Sequence, residues 1–171
     1  MNTSLRVDRT YPHSRALLWR ALVDPELLSQ WLMPNDFQPI VGHRFTFRTE
    51  PGPGFDGIVR CEVLEIVEQE RLTFTWVGGP IDTQITFTLT DVEGGARLVV
   101  EQTGFRGVRA WIVSRILAMG SRTIYGKRLP DVLAEIDRPP AAAKPTGACM
   151  APPQRFWITV LRFLNWRRTH G

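Results

Sequence analysis

Three histidines (His13, His43 and His170) and two cysteines (Cys61 and Cys149) are the side chains best suited to hold a metal or attack a substrate. Their spacing suits neither task. No histidine has a partner at ligand spacing, and HExxH, CxxC, GxSxG and phosphate-loop patterns are absent. A metallohydrolase or serine hydrolase is disfavoured, and no cofactor is implied. Acid–base chemistry would need a titratable group held dry and shifted toward neutrality. The candidates are His43, two residues before Phe45, and Tyr125 in the C-terminal helical pattern. Two polar residues fall on otherwise apolar strand faces. Arg9 shares parity with Leu5, Val7 and Tyr11; Gln102 shares it with Leu98 and Val100. An unpaired buried guanidinium is expensive, so Arg9 needs an acid, a carbonyl, a ligand anion or solvent at the sheet rim.

The elements that must position these residues are legible from periodicity. Leu5 to Tyr11 alternates as a first strand. Ser14 caps a helix carrying Leu17, Leu18, Ala21 and Leu22. Asp24-Pro25-Glu26 starts a second helix that holds Leu27, Leu28, Trp31 and Leu32 and stops before Pro34. Five strands at hairpin spacing are predicted near 42–49, 57–67, 70–78, 82–91 and 96–104, with a bulge near Cys61 and Glu62. In the third of them Leu72, Phe74 and Trp76 share one face, opposite Thr73, Thr75 and Val77. From Val108 to Asp137 the period becomes helical, with Pro130 expected to kink or split the helix.

The chain has 171 residues, 43% hydrophobic and 22% charged, which suits a soluble domain with an appendage. Its net charge of +4 is unevenly spread. Six of the 21 basic residues and none of the 17 acidic ones lie from Arg138 onward, so residues 1–137 carry 15 basic against 17 acidic. A mildly acidic body argues against nucleic acid as a partner. With no signal-like start and no spanning segment, the expected location is cytoplasmic. Cys61, mid-strand, reads as a buried hydrophobe and Cys149 as an exposed thiol, a poor disulfide pair. Residues 138–154 hold five prolines and five alanines and read as a linker. Residues 155–171 form a basic amphipathic segment. Its stretch 155–168 suits a membrane surface, while packing on its own domain or on a second copy of the chain explains the same pattern.

The run YPHSRALLWRALVDPELLSQWLMP at 11–34, the stretch from Gly57 through Glu65 to ERLTFTW at 70–76, and EQTGF at 101–105 resemble the SRPBCC superfamily, START-like and birch-pollen-allergen-like. The branch most similar is that of the C-terminal domain of activators of the Hsp90 ATPase. The resemblance covers about residues 1–137. It implies an α+β helix-grip fold: a curved six-stranded antiparallel sheet around a long C-terminal helix, with two short helices after the first strand. It also implies three functions: a carrier of a hydrophobic small molecule or lipid, a co-chaperone module for a heat-shock ATPase, or a cyclase/dehydrase-like enzyme. The first is preferred, as a non-catalytic binding protein. The ligand walls then fall to Trp31, Phe45, Phe74, Trp76 and Phe87 from the first half of the chain, and to Trp111 and Met119 on the helix. Arg9, Gln102 and Arg115 are the polar positions of that site.

Overall fold

The computed structural model describes residues 3–51, 55–79, 81–105 and 120–138. Strand β1 spans Thr3–Tyr11 and is followed by helices α1 (Arg15–Val23) and α2 (Pro25–Trp31). Five strands come next: β2 Arg44–Arg48, β3 Ile58–Val67, β4 Arg71–Gly78, β5 Ile81–Val92 and β6 Gly95–Phe105. They form one six-stranded antiparallel sheet in the order β1-β6-β5-β4-β3-β2. Four successive hairpins build β2 to β6, and β1 closes on β6, so β1 and β2 are the free edges. A C-terminal helix lies over the inner face, which gives the helix-grip architecture expected from the sequence.

Local signals set the helix starts. The Ser14 hydroxyl accepts from the Leu17 amide at 3.2 Å, and the Asp24 carboxylate accepts from the Glu26 and Leu27 amides at 2.9 and 3.2 Å. Pro25 follows at a first-turn position where its missing N–H costs nothing. The two helices bury Leu18, Trp19, Leu22, Leu27, Leu28 and Trp31 against the end of the sheet. Trp31 is fixed there by donating its indole N–H to the Ala21 carbonyl at 2.9 Å.

The bulge in β3 lies later than expected. Val59, Cys61 and Val63 are buried in clean alternation, and the register slips between Val63 and Glu65, which leaves Leu64 turned outward. The ladder to β4 is already altered nearby, because the Glu62 amide donates to the Thr75 hydroxyl at 2.8 Å.

The disturbance expected at Pro130 takes the form of a π turn that divides the helix just before it. Helical residues run from 120 to 136, with a π turn at Ile124–Arg128 and α-helix α3 at Leu129–Ile136. The wide turn shows in its bonding. Leu129 gives its amide to Ile124, five residues back. In that register the Tyr125 carbonyl should accept from residue 130, but proline has no N–H. The Tyr11 hydroxyl on β1 supplies the missing donor, at 2.6 Å. The helix therefore passes through Pro130 and stays pinned to the sheet by a buried phenol. α3 buries Leu129, Val132 and Leu133 against α1 and α2, and Asp137 beyond it meets His13 Nδ1 at 3.1 Å. Residues 108–119, the expected first part of this helix, lie outside the described residues, as do 139–171.

Candidate functional site

Alternation on β4 turns Leu72, Phe74 and Trp76 toward the helix, and β5 and β6 do the same with Ile85, Phe87 and Leu89 and with Leu98 and Val100. The aromatics form a continuous row. Phe45 meets Phe74 at 5.6 Å between ring centres, Phe47 meets Trp76 at 5.2 Å, and Phe74 meets Phe87 at 5.7 Å. Phe87 reaches Tyr125 of the helix at 6.5 Å, and Tyr125 in turn tilts against Trp31 at 5.8 Å. Such pairs fix ring orientation beyond simple area burial.

A hollow of about 40 Å³ remains between this row and the helix. Its sheet wall is Phe74, Trp76, Ile85, Phe87 and Gln102; Leu5 and Leu32 flank it, and Ser121, Ile124 and Tyr125 close it from the helix. One amide, that of Gln102, lies on its sheet wall. The Gln102 amide donates to the Thr83 hydroxyl at 2.8 Å, and that hydroxyl donates to the Trp76 carbonyl at 3.3 Å. All three groups are buried, so the bonds remove most of the cost of placing an amide in an apolar chamber.

The residues chosen from sequence separate into groups. Phe74, Trp76, Phe87 and Gln102 line the hollow. Trp31 and Phe45 are buried behind it: Trp31 supports Tyr125, and Phe45 packs edge-on to Phe37 and Phe47. Arg9 keeps its inward parity, but β1 is an edge strand, so the side chain reaches the rim and is exposed. Trp111, Arg115 and Met119 lie outside the described residues. Thr83, Leu5 and Ser121 were not singled out from sequence. Thr83 and Leu5 follow strand parity, whereas Ser121 gives no apolar signal.

His43 and Tyr125 are not brought together at this site. Tyr125 lines the hollow, but burial pushes its phenol, and that of Tyr11, well above the usual tyrosine range. His43 is absent from the lining. It stacks on Phe45 with centroids 6.4 Å apart, and its Nε2 lies 3.2 Å from the Asp36 carbonyl. Burial likewise raises the Cys61 thiol far above its ordinary value, which leaves it inert as a nucleophile. Among the described residues no three His, Cys, Asp or Glu side chains converge on a metal-sized site.

A family model described as Activator of Hsp90 ATPase homolog 1-like protein matches residues 12–133. The chain belongs to that family. Solved structures agree on the fold of this Hsp90-activator-like domain. The crystal structure of protein MLL2253 from Mesorhizobium loti is 34% identical, with a TM-score of 0.68 over 80% of this chain and 100% of its own. DynU16, a protein of the dynemicin biosynthetic locus, is 25% identical with a TM-score of 0.62, over 77% of this chain but only 47% of its own. The solution structure of Bacillus halodurans BH1534, at 22% identity and a TM-score of 0.65, shows the fold alone; it covers 78% of this chain and 99% of its own. No curated protein matches. The domain is thus a member of the SRPBCC-type superfamily, and among the described residues no helix is long and apolar enough to cross a membrane.

Proposed function

We propose that this chain binds a hydrophobic small molecule between the sheet and its C-terminal helix. The observation that carries the reading is the buried Gln102 amide, held by Thr83, on the wall of a mostly apolar hollow. A core built only for stability gains nothing from an amide at that position, whereas a binding site uses such a group to orient one polar end of an oily ligand. Burial of ligand surface, at about 25 cal/mol per Å², supplies the affinity. The hollow of about 40 Å³ exceeds the ~10–15 Å³ that a water needs, but is far below the roughly 300–1,000 Å³ of a drug-sized pocket. Ligand entry therefore displaces part of the wall. The helix side is the part that can yield, because β3 to β6 are held by ladders on both edges.

Trp76 in the wall reports occupancy. Titration with fatty acids, sterols, flavonoids and polyketides should give saturable quenching with at least one class, and Ile85→Trp, which fills the hollow, should abolish it. Absence of a saturable response from every class, with no thermal shift, removes the proposal.

A second reading follows the family description, which names activators of a heat-shock ATPase. On that reading the surface of the domain contacts the chaperone and the hollow is incidental. A chaperone ATPase assay separates the two, since a carrier leaves the rate unchanged. An acid–base enzyme is the weaker reading, because Tyr125 is held protonated by burial and His43 is absent from the hollow.

A further inference from the structure

A second cavity of about 280 Å³ lies open along the free edge of the sheet, between β1 and the helix turn at Ser121 and Arg122. Leu5 and Ser121 line both this groove and the inner hollow, so the two spaces share a wall. The groove floor is apolar at Leu5 and Val7, and its charge balance is one-sided. Asp8 and Arg6 also border the groove, but both Asp8 oxygens accept from Arg97 at 2.7 and 2.5 Å and are satisfied there. Arg6 bonds Glu101 at 3.0 Å. Arg9 and Arg122 have no carboxylate partner among the described residues. Gly126 positions the first of them: a Cβ there would lie 3.1–3.5 Å from the Arg9 guanidinium, so the missing side chain lets the fork rest on the helix.

We infer that the groove is an anion subsite, and that the ligand of this protein is an amphiphilic carboxylate. Its head would bind the Arg9 and Arg122 forks at the rim, and its apolar body would run over Leu5 and Val7 toward the hollow. A guanidinium presents paired N–H donors that match a carboxylate, and two of them facing an apolar floor select an anion carrying an oily chain. The inference rests on the binding function proposed above and adds the chemical class of the ligand.

The test compares decanoate with decanol, below micelle-forming concentrations, by calorimetry on the full chain. Wild type should bind decanoate about tenfold tighter than decanol. In the Arg9→Gln/Arg122→Gln double variant that ratio should fall to near one, with decanol affinity unchanged. Arg48→Gln, at the opposite edge of the sheet, should leave the ratio as it is in wild type. Gly126→Ala, which crowds the Arg9 fork, should lower the ratio without removing either cation. A wild-type ratio near one overturns the anion subsite and leaves the binding function standing. A tenfold ratio that survives the double variant overturns the assignment to Arg9 and Arg122. Failure of both compounds to bind wild type overturns the subsite and counts against the binding function as well.

Discussion

Gln102 and Thr83 bond across neighbouring strands because Ile85 is the register partner of Gln102, which places Thr83 one step along the same face. Thr83→Val removes the acceptor and leaves a buried amide donor unpaired, so it should destabilise the fold by about 1–3 kcal/mol in chemical denaturation. Thr83→Val with Gln102→Leu should recover most of that loss, because no orphan remains; full additivity of the two single changes would show that the pair is not coupled. Asp36 makes a different kind of contact. Its carboxylate accepts from the Thr46 amide at 2.6 Å and the Thr46 hydroxyl at 3.1 Å, and the amide bond above all holds it below the usual carboxylate range. A depressed folded-state value stabilises above the ordinary aspartate range, and the effect fades as pH falls through the lower folded value. Asp36→Ala should therefore cost about 1 kcal/mol at pH 7, discounted for exposure, and progressively less in urea titrations as pH falls through the lowered folded value. A cost that does not change with pH would contradict that account. At this scale the sequence exposed parity but not partnership. Gln102 could be seen as a polar exception on an apolar face, yet naming Thr83 required the β5–β6 register.

The elements were the most legible part of the chain, because their signals are local. Ser14 and the Asp24-Pro25 pair announce helix starts within three residues, and alternation on β4 and β5 needs no knowledge of neighbours. The two details that local signals left open, the place of the bulge and the form of the break before Pro130, both depend on distant residues. The β3 bulge is set by how that strand meets β4, and the π turn at Ile124–Arg128 by a phenol 114 positions away in sequence. Pro130 announces a disturbance without saying how it is resolved. If Tyr11 replaces the donor that Pro130 lacks, Tyr11→Phe should orphan the Tyr125 carbonyl and cost about 1–3 kcal/mol in thermal unfolding. Pro130→Ala supplies an N–H from within the helix, so the same Tyr11→Phe change should cost less in that background. An equal cost in both backgrounds would break the link between phenol and proline.

Residues 12–133 match the family model, and MLL2253 is covered over its full length by 80% of this chain. We propose a folding unit that closes near residue 137. A chain ended after Arg138 should accordingly keep the cooperative transition and melting temperature of the full protein; a large drop would mean that residues 139–171 complete the core. The same whole-molecule view explains why architecture could be read where ligand chemistry could not. Six strands and a covering helix follow from patterning, whereas a hollow is what remains after every side chain has chosen a rotamer. The wide turn ahead of Pro130 has an effect that reaches furthest. Each residue added to or removed from a helix rotates everything on one side of that point by about 100° relative to the other. Pinned by Tyr11 and anchored through α3, the stretch after the turn stays in place, so an insertion or deletion there would re-aim residues 120–123, and with them the Ser121 side of the hollow, over an unchanged sheet. Descendants of this chain could in that way exchange the roof of their chamber and keep its floor, acquiring new molecular tastes through the loss or gain of one codon.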